Sequence, residues 1–118
     1  MTGATMSYAD TMAWGAAQYS DVLDILIERG LPATFTQTGG MCAAIEVQLE
    51  TGQTLLITDA EDSLAWARVE HRGWGVGLYP PGDESDGPSA FTNDHRDDVP
   101  VLLGLVEEVL FGRGRRRV

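Results

Sequence analysis

Residues 41–58 read MCAAIEVQLETGQTLLIT, and their alternation decides the fold. Met41, Ala43, Ile45, Val47 and Leu49 point to one side, while Glu46 and Gln48 point to the other, as in a half-buried strand. After Glu50-Thr51-Gly52 the apolar residues resume at Leu55 and Ile57. A three-residue loop with Gly52 in left-handed geometry sets Val47 opposite Leu55 and Ile45 opposite Ile57. A two-residue loop would set Glu46 against Ile57, because a one-residue slip exchanges the two faces. The stretch therefore predicts an antiparallel hairpin with one apolar face.

Upstream, Ala33 to Gln37 predicts a weaker strand, with Thr38, Gly39 and Gly40 as its turn. Before it, Ser20 opens a helix with Asp21 in its first turn and Val22, Leu23, Leu26 and Ile27 as the apolar face. Arg29-Gly30-Leu31-Pro32 is a helix stop, combining a left-handed glycine, an apolar residue and a proline. Residues 1–19 read as an N-terminal extension with helical features. Ser7 and Asp10 form a capping signal and Tyr8, Met12 and Tyr19 share a stripe, which Gly15 weakens.

Downstream, Asp59 to Ser63 forms an acidic loop that Leu64 and Trp66 anchor to the core. Gly73 to Tyr79 is a further strand, closed by Pro80 and Pro81, and residues 80–98 are loop-like with a short edge strand at Ala90 to Thr92. Asp98 caps a last helix with Pro100 in its first turn, an apolar stripe of Leu102, Leu105, Val106, Val109 and Leu110, and Gly112 at its end. The expected architecture is α+β: an antiparallel meander of four to five strands, with an N-terminal and a C-terminal helix on one face. Residues 20–112 form one domain and residues 113–118 a flexible basic tail.

A chain of 118 residues removes roughly two-thirds of its unfolded surface from water, enough for a single core. Apolar content of 43% against 22% charged residues is globular, and no apolar run is long enough to span a membrane. The opening MTGATMSYAD lacks the basic and apolar regions of a signal peptide, and Cys42 is the lone cysteine, so a reducing cytoplasmic setting is expected. The formal charge is −10, and four of the eight arginines lie at Arg113, Arg115, Arg116 and Arg117. Without that tail, four arginines face eighteen acids, a net −14. Such a body repels nucleic acid and attracts basic partners.

The glycines of GWGVGLY, residues 73–79, recur at every second position. Dinucleotide and phosphate loops need other spacings and a following helix, so this is a strand and not a cradle. Trp74, Val76 and Leu78 face the core, leaving Gly73, Gly75, Gly77 and Tyr79 as a bare face. Such a face is covered by an aromatic ring or a helix of the same chain, receives a docking partner or ligand, or marks a bulge, and the chain's own helix is the expected cover.

Asp59, Glu61 and Asp62, with Asp83, Glu84 and Asp86, are read as a solvated acidic surface for a partner. The spacing of a calcium loop is absent, as are paired zinc ligands around Cys42, His71 and His95. Neither a metal nor another cofactor is expected. Cys42 is read as a half-buried inert thiol, and the sequence carries neither a G-x-S-x-G elbow nor an H-E-x-x-H motif. The four tail arginines are the candidate nucleic-acid contact.

The segments TGGMCAAIEVQL, LLITDAEDSLAW and GWGVGLYPPG together resemble small uncharacterised proteins of actinobacteria and their phages, over roughly residues 20–110. That group carries no activity to transfer. The resemblance implies a phage or mobile-element accessory protein that binds a host protein.

The leading expectation is thus a non-enzymatic acidic module that docks on a host or other cellular protein. Two alternatives stand beside it: a nucleic-acid accessory protein acting through the arginine tail, and a small metal-dependent enzyme at Asp59, Glu61 and Asp62. Self-association as a homodimer, through an edge strand or the glycine face, is a further option. No membrane contact is expected.

Overall fold

The computed structural model describes residues 7–39, 42–82 and 87–111. Two helices open it, α1 (Tyr8–Gln18) and α2 (Ser20–Glu28). Five strands follow: β1 (Ala33–Gly39), β2 (Cys42–Gln48), β3 (Thr54–Thr58), β4 (Trp74–Tyr79) and β5 (Ala90–Asp94). A 3-10 turn at Arg68–Glu70 precedes β4, and α3 (Val99–Phe111) closes the fold. The strands form one antiparallel sheet in the order β1-β2-β3-β4-β5, a meander, so the α+β architecture is as expected.

The hairpin that anchors this sheet has the expected register. Val47 lies opposite Leu55 and Ile45 opposite Ile57, with Gly52 at φ 90° in the loop. Extending the register to β4 brings Val76 opposite Ile57 and Leu78 opposite Leu55. One sheet face thereby presents Phe35, Ala43, Ile45, Val47, Leu55, Ile57, Trp74 and Val76 to the core. Val22 and Leu26 of α2 and Leu102, Leu105, Val106 and Val109 of α3 fill the space above it. Each fully buried aliphatic side chain contributes about 2 kcal/mol relative to an exposed one.

The α2 stop is a complete left-handed cap. Leu31 N–H donates to the Leu26 carbonyl and Gly30 N–H to that of Ile27, with Gly30 at φ 84°. Within α2 the buried stripe is narrower than its sequence suggests. Val22 and Leu26 are buried, but Ile27, expected on the buried face, is 54% exposed. The stripe continues past the end of the surface it packs against.

The segment read as an extension is docked onto the domain. Ser7 accepts the Asp10 N–H as the α1 cap, and Met12 and Ala16 pack on the core. Gly15, which weakens the helix as a local sequence, is buried against Phe35 and Trp66. A Cβ there would lie 2.5 Å from two carbons of the Phe35 ring, so only glycine lets α1 approach β1 this closely. Tyr19, the single residue between α1 and α2, is fully buried. Its ring stacks on Phe35 and its hydroxyl donates to the Ala65 carbonyl at 2.5 Å.

Candidate functional site

The three helices lie on the core face of the sheet, so the glycine face of β4 is covered by something else. Gly77 pairs with Phe91 across β4 and β5, and the Phe91 ring lies over both Gly77 and Gly75. The expected cover, a helix of this chain, is corrected to an aromatic ring from the neighbouring strand, which fills the space that a missing side chain leaves. Phe91 itself stays 52% exposed. Gly73 leaves the expected face altogether. It precedes β4 at φ 71°, a left-handed turn position, while Gly75, Gly77 and Tyr79 share the outer face.

The acidic loop divides into buried and exposed members. Asp59 is corrected from surface to interior, with 7% of its area exposed. Its Oδ1 accepts from Ala65 N–H and lies 2.6 Å from His71 Nδ1, while Oδ2 accepts from Arg72 N–H. A carboxylate surrounded by donors makes Nδ1 the protonated nitrogen of His71. His71 is 2% exposed, lies 4.0 Å from the Trp74 ring between centroids, and keeps Nε2 buried without a partner among the described residues. His71 faces the interior, while Asp59 also borders the open cleft lined by Glu61 and His95. The role of the pair in this arrangement is to clamp the 59–72 loop.

Glu61 and Asp62 are exposed and turn elsewhere. Glu61 meets His95 at 2.6 Å, and Asp62 accepts from Ser63 N–H. The three carboxylates of the candidate metal loop therefore go to three different partners. Among the described residues no group of three or more His, Cys, Asp or Glu is placed to hold a metal. Glu61, Asp62, Glu70, Arg72, His95 and Trp66 do line an open cleft of about 610 Å³. Cys42, expected half-buried, is exposed. Asp83, Glu84, Asp86 and the tail arginines Arg113, Arg115, Arg116 and Arg117 lie outside the described residues.

Three of the described arginines are engaged within the chain. Arg68 makes a two-point contact with Asp21 and its guanidinium lies over the Tyr19 ring, 5.2 Å from the centroid. The hydrogen bonds from Arg68 hold the Asp21 carboxyl below the usual carboxylate range, against a smaller opposing effect of burial. Arg96 holds Asp94 low in the same way, and Arg72 donates to the carbonyls of Val69 and His71.

A concave, partly apolar surface lies at the opposite end of the sheet from the acidic loop. Ile27 of α2, Gly30 and Pro32 after it, Gln48 to Thr51 and Gln53 at the β2–β3 hairpin, and Leu110 and Phe111 of α3 enclose a groove of about 680 Å³. A second cavity of about 350 Å³ shares Leu110 and Phe111 and adds Leu31, Leu103 and Val106, with Arg29 and Glu107 at its rim. Phe111 is 65% exposed and Ile27 54%, and both line this groove. Reading the sequence for sites overlooks this groove, because it looks for polar chemistry. The available signal is Ile27 and Phe111, two large apolar residues at helix ends where caps and solvent are expected.

Comparison of the chain with protein-family models, curated proteins and solved structures finds no match.

Proposed function

We propose that the protein is an acidic interaction module that docks a partner protein at the groove between the C-terminal ends of α2 and α3. One observation carries the reading: large apolar side chains, Ile27 and Phe111, stand exposed around a concave, partly apolar surface of a strongly acidic chain. Soluble chains keep such patches small unless something binds there. The buried Asp59–His71 pair and the divergent carboxylates around it give less support to an enzymatic role. The resemblance of residues 20–110 to proteins of actinobacteria and their phages supports a host protein as the partner.

The test is a paired affinity purification from an actinobacterial lysate, using the full chain and its Ile27→Ser and Phe111→Ser variants. A protein recovered in stoichiometric amount by the parent and lost from both variants is the expected result. Equal recovery by all three places docking elsewhere and contradicts the reading.

A further inference from the structure

We infer that the protein forms a twofold dimer in which β5 of one copy pairs antiparallel with β5 of a second, centred on Thr92. This contact is separate from the groove between α2 and α3, and it starts from the backbone. In an antiparallel ladder, alternate residues turn their N–H and C=O groups to opposite sides. The Leu49 N–H donates to the Gln53 carbonyl, so Ile45 and Val47 of β2 turn their backbone groups to β3. Carried through the registers of the sheet, this alternation turns Ala90, Thr92 and Asp94 of β5 towards β4. The N–H and C=O groups of Phe91 and Asn93 then point off the edge of the sheet. Neither backbone has a hydrogen-bond partner among the described residues, and both residues are exposed.

The opposite edge of the sheet differs. On β1 the outward backbone groups belong to Ala33, Phe35 and Gln37; the first two are buried, and α1 packs against Phe35. β5 also lacks the features that keep edge strands apart. It has no proline, no bulge in its pairing with β4 and no charged side chain before Asp94, which Arg96 holds at two points. The edge is self-complementary. A twofold axis at Thr92 sets Phe91 of each copy opposite Asn93 of the other, so every outward group of both residues is satisfied at once. On the outer face the two Phe91 rings become diagonal neighbours, a separation that aromatic side chains span. The surface that leaves Phe91 52% exposed is then removed from water. A second copy supplies the backbone groups and the matching ring together. Two bodies of charge −10 repel, and salt screens that repulsion.

Sedimentation equilibrium of the full chain over a concentration series, at low and at high salt, is the first test. A monomer–dimer equilibrium that tightens with salt is expected. Phe91→Pro removes an outward N–H and the ring while leaving the bonds to β4, and should weaken dimerisation by about tenfold or more. A second measurement covers the case in which this variant does not fold. In a Cys42→Ser background, Thr92→Cys places two thiols at the axis. Facing residues of a non-hydrogen-bonded pair stand about 4.5 Å apart between Cα atoms, within disulfide reach. Mild oxidation should cross-link Thr92→Cys readily and Ala90→Cys far less, because Ala90 faces Asp94 of the other copy in this register.

A monomer at every concentration overturns the inference. So does a dimer that a correctly folded Phe91→Pro leaves intact. A dimer abolished by Ile27→Ser overturns it in favour of self-association at the groove. Association that weakens with salt, and is lost when Arg113, Arg115, Arg116 and Arg117 are replaced by glutamine, overturns it in favour of ion pairing. Equal cross-linking of Ala90→Cys and Thr92→Cys overturns the register, and with it the axis at Thr92.

Discussion

The Asp59 carboxylate and the His71 imidazole meet at 2.6 Å although they lie twelve positions apart in the chain, and both are buried. This contact joins the end of β3 to the residues that lead into β4, while Asp59 also receives the N–H groups of Ala65 and Arg72. One side chain thus satisfies three donors that would otherwise be buried unpaired.

Replacing Asp59 by asparagine turns one of its two acceptor oxygens into a donor, which then faces a donor whichever way the amide points. The expected loss is about 2–4 kcal/mol of folding stability. Glu61→Gln, two residues on and exposed, should fall within about 0.5 kcal/mol of the parent. Urea unfolding compares the two, and equal midpoints for both variants would contradict the clamp.

Gly15→Ala sets two effects against each other. Alanine favours the helix by about 1 kcal/mol. The added Cβ meets the Phe35 ring at 2.5 Å, and that ring is held between Tyr19 and Trp66. Overpacking of this kind costs about 1–3 kcal/mol, so net destabilisation is expected. A raised melting temperature would mean that α1 does not pack as described.

The two glycines on the outer face of β4 should respond differently to alanine. A Cβ at Gly75 meets the Asp59 backbone carbonyl at 2.7 Å, which cannot move without disturbing the clamp. At Gly77 the nearest atoms belong to the side chains of Tyr79, Phe91 and Pro88, at 3.2 Å or more. Gly75→Ala is therefore the more damaging substitution, by roughly 1 kcal/mol or more, and chemical denaturation of the pair ranks them.

Burial, followed by the charge of Asp59, holds the Tyr19 phenol above the ordinary tyrosine range, against a smaller opposing effect of Arg68. The folded protein keeps this proton to higher pH than the unfolded chain does. The corresponding stability is complete below about pH 10 and declines above it, as the unfolded tyrosine ionises first. Tyr19→Phe should flatten that alkaline decline. At neutral pH it should cost about 1–2 kcal/mol, because the Ala65 carbonyl loses its donor. Stability curves from pH 7 to 11 separate the two effects.

The sheet was legible because a strand repeats every two residues, so Val47 and Leu55 could be paired from their alternation and the Gly52 loop. The same alternation assigned Trp74 and Val76 to the core correctly. Alternation names faces, however, and does not name what lies across them, so Phe91 went unrecognised as the cover of Gly75 and Gly77. Asp59 reads as solvated because its sequence neighbours are acidic, and only the closing of the sheet brings His71 to it. Ile27 fits the apolar stripe of α2, but a helical pattern carries no information about where the neighbouring surface ends. The groove depends on three segments meeting in space, and no one of them signals it alone.

The central claim is that partners dock between the C-terminal ends of α2 and α3. Amide hydrogen exchange on the full chain, with and without the partner recovered by affinity purification, tests it most directly. The account predicts slowed exchange concentrated in residues 27–32, 48–53 and 103–111, with the 59–72 loop unchanged. Protection of the 59–72 loop or of the outer face around Phe91, with the groove segments unaffected, would contradict it.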